Sequence, residues 1–272
     1  FMLISYMVSE DAFMEWGWRI PFISSVLLIG ISMYVQLHME ETDAFKELQE
    51  YQKKMQAESP QTIVIRRSPV LEALAKYPKR IALAAGAFLS IQVTFYILIG
   101  FVLAYGTDPG GAGLTRDQML FAVLLASVLQ IPTQFWAAAY SDNHGRRGIF
   151  MLGAVLTGAW AFALFPLIDT GNFWLIVLGI SGGLMFLGMM YGPQAAFFTE
   201  LFSTEVRYSG ASLGYQIGAI LGGAFAPTIA TILWLEYDIV WVSVYIAIAS
   251  LLSLISVVML TETYKTSLHD TD

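Results

Sequence analysis

The sequence predicts an all-α integral membrane protein, and two observations carry this prediction. The composition is strongly apolar: 57% of the 272 residues are hydrophobic and 13% are charged, with a mean hydropathy of +0.64, whereas about 25% of the residues of an ordinary soluble domain are charged. The apolar residues are also clustered in seven uncharged runs, each long enough to cross a hydrocarbon core of about 30 Å as a helix. These runs are residues 20–37, 81–105, 118–141, 148–168, 173–199, 208–235 and 239–261.

The runs favour helices over strands. Membrane strands alternate apolar and polar residues over about 10 positions, and stretches such as FAVLLASVLQ and LISVVML do not alternate. One such run could be a buried core helix of a soluble protein, but a chain of 272 residues cannot bury seven of them. The sequence therefore predicts seven complete transmembrane helices.

The first eight residues, FMLISYMV, are apolar but too few to span a membrane. We do not expect these residues to be a signal peptide, because a signal peptide has a basic region before its apolar run. We therefore expect the end of a truncated helix, so that residues 1–37 hold one truncated and one complete transmembrane helix. On this interpretation the chain is a fragment.

Residues 38–80 form the one extended polar segment, and we expect them to link two groups of helices. The stretch ETDAFKELQEYQKKMQ mixes acids and bases at the spacing of a surface helix, and Ser68 with Pro69 is typical of the cap and first position of a second helix. A plain solvated linker is the alternative. Residues 81–261 then hold six transmembrane helices, and residues 262–272 form a short tail.

The basic residues predict the orientation, because lysine and arginine concentrate in short cytoplasmic loops. If the turns alternate between sides, twelve of the 14 basic residues fall on one side and only Arg19 and Arg116 on the other. This distribution places the 38–80 linker, the stretch YSDNHGRRG at 140–148 and the C-terminus in the cytoplasm. It predicts a multi-pass protein of the plasma (inner) membrane.

Several function classes are excluded by what the sequence lacks. It has no Cys and three His, which lie in loops or the tail, and it shows no metal-ligand spacing and no phosphate-binding loop. We therefore expect no enzyme, no metal site and no cofactor. The net charge of -7 gives no sign of nucleic-acid binding. A receptor would need an output module, and the TETYKTSLHDTD tail is too short for one.

Four stretches carry a resemblance to a known family: WGWRIPF at 16–22, MEETDAF at 39–45, SDNHGRRG at 141–148 and YGPQAAFFTELFSTEVRYSGASLGYQ at 191–216. Together they resemble the C-terminal half of a major facilitator superfamily transporter, in the metabolite:proton symporter branch that includes shikimate, dicarboxylate and proline/betaine permeases. The resemblance implies the C-terminal six-helix bundle of a 12-helix fold, preceded by the last helices of the N-terminal half. It also implies that four whole helices are missing ahead of the chain.

The resemblance implies a role for the charged turn at 141–148. In the superfamily pattern Gly-x-x-x-Asp-Arg-x-Gly-Arg-Arg, exchangeable ion pairs hold one conformation closed and release it in the other. Here Ala138 replaces the leading glycine and Asn143 the usual arginine, which weakens the expected network.

In this pattern the aspartate faces a helix end of the other half, and the arginines pair with carboxylates at neighbouring helix ends and contact lipid phosphates. A glutamate and an arginine that bracket the next cytoplasmic turn join the same charge network. The expected conformational latch consists of Asp142, Gly145, Arg146, Arg147, Glu200 and Arg207. An ordinary positive-inside turn is the alternative.

Substrate contacts are expected from amides and phenols, because none of the seven runs contains Asp, Glu, Lys, Arg or His. Polar groups are costly when they face lipid, so they should face the bundle or a wet cavity. The candidates are Gln92, Tyr96, Gln130, Gln134, Tyr191, Gln194, Tyr215 and Gln216. Interhelical hydrogen bonding without substrate contact is the alternative for each.

Glycine recurs at every fourth position of one helix, at Gly210, Gly214, Gly218 and Gly222. Small residues at this spacing form a smooth stripe that lets helices approach closely in lipid. The resemblance favours a surface along which helices slide during alternating access. A static packing seam is the alternative.

The resemblance implies a secondary active transporter, namely a proton symporter that imports a small metabolite. An organic acid such as shikimate or a dicarboxylate is favoured over an osmolyte, because the tail lacks the long coiled coil of some osmosensory betaine permeases. Since no run carries a titratable group, the proton-handling carboxylate is expected in the missing N-terminal half. The expected partners are protons, the organic acid or osmolyte, membrane lipids and that missing half. A transport-inactive remnant or a partner-dependent half-transporter is the alternative.

Overall fold

The structure is a computed structural model, and it describes residues 4, 7–39, 46, 50, 54 and 68–264. The chain divides into two units, Phe1–Pro60 and Gln61–Asp272. Seven helices in the described part of the chain are long and apolar enough to cross a membrane. This finding confirms the all-α membrane fold that the seven uncharged runs predict.

The first unit contains a short helix and one helix of membrane length. The short helix, α1 (Glu10–Glu15), begins at Ser9, whose hydroxyl accepts the Ala12 N–H at 3.4 Å. The long helix, α2 (Gly17–His38), begins as a single 3₁₀ turn. The truncated helix predicted at 1–8 and the surface helix predicted after residue 38 lie outside the described residues, apart from isolated positions.

The second unit is a bundle of six membrane-length helices that follows a short one. The helix predicted after Ser68 is present as α3 (Pro69–Lys76), although the Ser68 side chain makes no capping hydrogen bond within the described residues. The long helices match the six predicted runs closely. They are α4 (Pro78–Thr107), α5 (Arg116–His144), α6 (Arg146–Asp169), α7 (Phe173–Glu200), α8 (Arg207–Glu236) and α9 (Ile239–Met259).

Short connections make consecutive long helices run in opposite directions. The charged end of the bundle, as we call it, contains the starts of α4, α6 and α8 and the ends of α5, α7 and α9. At the opposite end, side-chain caps fix three helix starts. Thr115 and Gln118 form a capping box for α5, and the side chains of Asn172 and Asp238 accept the first N–H groups of α7 and α9.

Helices α4 and α8 pack closely and both depart from regular α-helical geometry. Each contains a π-helical segment, Ile97–Phe101 in α4 and Ile220–Ala224 in α8. Segments of this kind are rare and recur at functional sites. The two helices also approach closely at Gly223, where a Cβ atom would lie 2.5 Å from the Tyr96 ring and would displace it.

Buried serines join α4 to α9. The Ser253 hydroxyl accepts the Ser90 N–H at 2.9 Å and donates to the Gly86 carbonyl oxygen at 2.8 Å. It therefore bonds to both members of one i→i−4 backbone pair of α4. The hydroxyls of Ser90 and Ser250 lie 2.9 Å apart. These contacts fix α4 against α9 and so help to set which face of α4 is exposed.

Candidate functional site

The charged turn is a single residue in the structure, because α5 continues to His144 and α6 begins at Arg146. Gly145 reverses the chain with φ +102° and ψ 153°, a conformation that residues with a side chain rarely adopt. The tight reversal places Asp142, in the last turn of α5, beside Arg146 in the first turn of α6.

Arg146 is the centre of a charge cluster at the charged end. Its Nη1 donates to the Asp142 carboxylate and, at 2.8 Å, to the Ser141 hydroxyl. Its Nη2 donates to Glu200 Oε1 at 3.1 Å, and its Nε lies 3.5 Å from Glu200 Oε2. The Arg146 side chain is only 12% exposed, so water screens these pairs less than it screens pairs on an open surface. One guanidinium thus joins the ends of α5, α6 and α7.

The cluster contains a carboxylate that the sequence patterns did not reveal. Glu262 follows α9, and its two carboxylate oxygens accept the backbone N–H groups of Arg146 at 3.0 Å and Arg147 at 3.1 Å. These are the first N–H groups of α6, which have no partner inside the helix. A carboxylate there also meets the positive end of the helix dipole. Glu262 is therefore the N-terminal cap of α6.

The residues after Glu262 make two further contacts with the cluster. The Thr263 hydroxyl donates to Glu200 Oε2, so Glu200 binds both α6 and the C-terminal segment. The Tyr264 hydroxyl donates to the Asn143 carbonyl oxygen at 2.7 Å. The first residues of the predicted tail are thus part of the cluster. The sequence contained one signal for this contact. The distribution of basic residues assigns the C-terminus and the SDNHGRRG turn to the same side of the membrane.

Arg147 binds carbonyl groups where the resemblance predicts carboxylates. Its Nε and Nη2 donate to the carbonyl oxygens of Val257 and Val258 at 3.1 and 2.8 Å, at the end of α9. The last carbonyls of a helix have no partner within it, and they lie at the negative end of its dipole. The guanidinium is therefore well placed to cap α9, and its backbone N–H remains available for Glu262.

Glu200 lies in the charge cluster with Arg146, whereas the Arg207 side chain makes no ion pair with Glu200 within residues 68–264. Arg207 Nε instead donates to the Thr199 and Phe202 carbonyl oxygens at 3.1 and 3.3 Å, at the end of α7. Both oxygens of Glu200 accept hydrogen bonds from Arg146 and Thr263.

Three of the substrate candidates are exposed on the second unit. Tyr96, Tyr191 and Tyr215 are 42%, 40% and 37% exposed. The ring of Tyr215 packs against that of Phe88, with centroids 4.3 Å apart. Helices α4, α7 and α8 each contribute one of the three tyrosines. Gln216, the next residue of α8, is also exposed.

The other four candidates lie at or near helix contacts. Gln92 and Gln194 are buried, with 9% and 6% exposed. Gln130 and Gln134 of α5 are half-buried, at the place where α7 approaches through Gly192: a Cβ atom on this glycine would lie 2.5 Å from the Gln134 carbonyl oxygen. The structure therefore separates the exposed phenols from these more deeply placed amides.

Three of the four stripe glycines contact α4. Cβ atoms built at Gly214, Gly218 and Gly222 would lie 2.8 to 2.9 Å from atoms of α4, including the Ala85 carbonyl oxygen for Gly218. Gly210 faces the ring of Phe202 instead, because this buried side chain of the α7–α8 connection folds beneath the first turns of α8. The stripe is therefore a close contact between α4 and α8 from Gly214 onward.

Comparison with known proteins agrees with this architecture. The model of the Major Facilitator Superfamily matches residues 81–271. The solved structure of the proton:xylose symporter XylE has the same fold, with a TM-score of 0.69 and 16% sequence identity over 99% of this chain and 62% of that chain.

Curated relatives have higher sequence identity. The chain is 32% identical to the inner membrane metabolite transport protein YhjE of Escherichia coli, over 98% of this chain and 59% of that protein. It is 33% identical to the shikimate transporter of Escherichia coli, over 97% and 58%, and 26% identical to the proline/betaine transporter of Salmonella typhimurium, over 96% and 52%. The chain thus spans between half and three-fifths of the length of these relatives. Fold and relatives are those of transporters, not of enzymes, and the chain is a member of the major facilitator superfamily.

Proposed function

We propose that the chain forms the C-terminal part of a secondary active transporter that imports a small organic acid by alternating access. The charge cluster is the observation that carries this proposal. Arg146, Glu200 and Glu262 tie the ends of three helices to the segment after α9 through ion pairs and N–H contacts. Contacts of this kind can open together while the apolar core of the bundle stays packed.

The strength of the cluster suits a latch. An exposed ion pair contributes about 0.2–1 kcal/mol, and a helix cap about 1 kcal/mol. A handful of such contacts together supply a few kcal/mol, whereas about 5.5 kcal/mol moves a two-state equilibrium from 1:99 to 99:1. The cluster can therefore bias one conformation strongly and still release it when substrate binds.

The proposed orientation places the charged end, the 38–80 linker and the C-terminus in the cytoplasm of a plasma-membrane protein. The distribution of basic residues supports it, since only Arg19 and Arg116 fall on the other side. The printed name of the relative YhjE, an inner membrane protein, supports the location. In this arrangement residues 81–261 are the C-terminal bundle and residues 1–37 the end of the N-terminal one.

The proposed substrate is an organic acid such as shikimate or a dicarboxylate, and the proposed coupling ion is the proton. The shikimate transporter among the relatives supports the first assignment, and the proline/betaine transporter makes an osmolyte the nearest competitor. The runs within 81–261 carry no titratable group near neutral pH. The group that binds the proton, and any cation that binds the substrate carboxylate, therefore belong to another part of the transporter.

Uptake measurements test the proposal. The protein is produced from its complete reading frame in cells that lack their own shikimate and dicarboxylate uptake, and labelled acids are added with and without a protonophore. We expect saturable uptake that the protonophore abolishes. Normal membrane levels without uptake of any tested acid or osmolyte would instead favour a transport-inactive protein or one that requires a separate partner.

A further inference from the structure

We propose that the short helix α3 lies in the membrane surface at the charged end, with an apolar side among lipid acyl chains and basic residues on anionic lipid headgroups. The starting observation is that three large apolar side chains of this helix are uncovered. Val70, Leu71 and Leu74 are 41%, 60% and 41% exposed. The proposal concerns a contact with lipid, and it is independent of the identity of the transported molecule.

The position of α3 in the chain places it at the edge of the membrane. The helix ends at Lys76, α4 begins at Pro78, and the uncharged run that spans the membrane begins at Ile81. So short a connection keeps α3 near the end of the spanning helix, where headgroups and acyl chains meet. The uncovered apolar residues are therefore within reach of lipid.

The two sides of α3 differ in polarity. At 3.6 residues per turn, Val70, Leu71 and Leu74 share one side of the helix, and Glu72 and Lys76 lie on the other. A helix with one apolar side and basic residues on its polar side is typical of helices that lie in the membrane interface. Burial of the apolar side among acyl chains removes it from water, which is favourable.

Contacts with the bundle leave this apolar side uncovered. Ala73 of α3 is fully buried, and the ring of Tyr77, which follows the helix, packs against that of Phe202 with centroids 5.8 Å apart. Arg80 Nη1 donates to the Leu201 carbonyl oxygen at 2.9 Å. These contacts hold α3 and the start of α4 against the α7–α8 connection, and Val70, Leu71 and Leu74 remain outside them.

The charge of the segment selects the lipid. Although the chain has a net charge of -7, residues 66–80 contain a single acid, Glu72, and five basic residues, namely Arg66, Arg67, Lys76, Lys79 and Arg80. Clusters of this size beside a spanning helix on the cytoplasmic side bind anionic headgroups, and the proposed orientation places α3 on that side. An anionic lipid complements both the basic residues and the apolar side.

Site-directed fluorescence tests whether the apolar side contacts acyl chains. The chain has no Cys, so single labelling sites can be introduced into it. The protein is produced from its complete reading frame, reconstituted into vesicles and labelled with a fluorescent maleimide at Leu74→Cys. Glu72→Cys, on the opposite side of the same helix, is the matched control, and the unmodified protein gives the background. Quenching by lipids with a nitroxide on the acyl chain is measured.

We expect quenching at position 74 to exceed that at position 72 by roughly twofold, because the apolar side of an interfacial helix lies about 5–10 Å into the boundary between headgroups and acyl chains. Equal quenching at the two positions would overturn the proposal, since the apolar side would then be in water or covered by another protein segment.

The same label tests the choice of headgroup. We expect nitroxide-labelled phosphatidylglycerol to quench position 74 more than phosphatidylcholine does, and this preference should fall by roughly fivefold for each lysine removed in Lys76→Gln and Lys79→Gln. Arg116→Gln, an exposed basic residue at the opposite end of the bundle, is the control and should keep the preference. Equal quenching by the two lipids, or a preference that survives the loss of both lysines, would overturn the assignment to anionic lipid. None of these measurements depends on uptake, so such a failure would leave the transport function intact.

Discussion

Glu262 accepts the backbone N–H of Arg146 at 3.0 Å, although 116 residues separate the two in the chain. The contact ties the segment after α9 to the start of α6. It also explains the glycine between α5 and α6, because a Cβ atom at Gly145 would lie 2.9 Å from Glu262 Oε2. One carboxylate thus constrains the turn, caps a helix and brings Thr263 to Glu200.

The cap predicts the effect of Glu262→Gln. The amide has no negative charge to place at the start of α6 and only one oxygen to accept the two N–H groups, so we expect the free energy of unfolding to fall by about 1 kcal/mol. Thermal unfolding of the purified protein in detergent measures this change. Glu205→Gln is the control, because Glu205 is exposed in the α7–α8 connection at the same end. Equal melting temperatures for the two variants would contradict the capping role.

The turn predicts a cost for Gly145→Ala. The positive φ and the close carboxylate both oppose a side chain here, and we expect a loss of about 1–3 kcal/mol in the free energy of unfolding. Gly148→Ala is the matched control: this glycine lies in α6 with open space around its Cβ position, and alanine there should stabilise the helix by up to about 1 kcal/mol. Thermal unfolding of the two variants in detergent measures these changes. A Gly145→Ala variant that is more stable than the unmodified protein would show that the turn tolerates a side chain.

The latch predicts slower transport for Asp142→Asn. The Asp142 side chain is 61% exposed, so the loss of its pair with Arg146 should change the free energy of unfolding by less than about 1 kcal/mol. A change of that size in the free-energy difference between two conformations alters their ratio by roughly fivefold. We therefore expect a shift toward the inward-open state and slower uptake. The uptake rate, normalised to the membrane level of the protein, measures this effect. Asp117→Asn, at the opposite end of α5, is the control, and identical kinetics for both would contradict the latch.

The glycine stripe predicts that Gly218→Ala is disruptive. The added methyl group would lie 2.8 Å from the Ala85 carbonyl oxygen and 2.9 Å from Phe88 Cβ, so α8 must move away from α4 at a cost of about 1–3 kcal/mol. Gly100→Ala, which places its methyl group in open space, should have little effect. Thermal unfolding and uptake are measured together. If α8 slides along α4 during transport, we expect Gly218→Ala to lower the uptake rate by more than the loss in the free energy of unfolding accounts for. A loss of uptake that only follows the loss of folded protein would favour a static packing seam.

The sequence by itself determined the membrane helices and their order. In a lipid bilayer every backbone N–H and C=O must be satisfied within the spanning segment, so a long uncharged run has to be a helix. The bounds of α4 to α9 therefore follow the runs closely. Sequence motifs also singled out Asp142, Arg146 and Glu200, which meet in the charge cluster. They could be found because few charged residues flank the apolar runs.

Only the tertiary structure decided which groups meet. Apolar runs fix where a helix begins and ends, but the rotation of each helix depends on how its small and large side chains pack against neighbours. That rotation leaves Tyr96, Tyr191 and Tyr215 partly exposed and Gln92 and Gln194 buried. The partner of a charge is likewise decided by which groups the folded helix ends bring close to it. Glu200 binds Arg146 and Thr263, which are far away in sequence, whereas Arg207, which is nearer in sequence, binds backbone carbonyl oxygens.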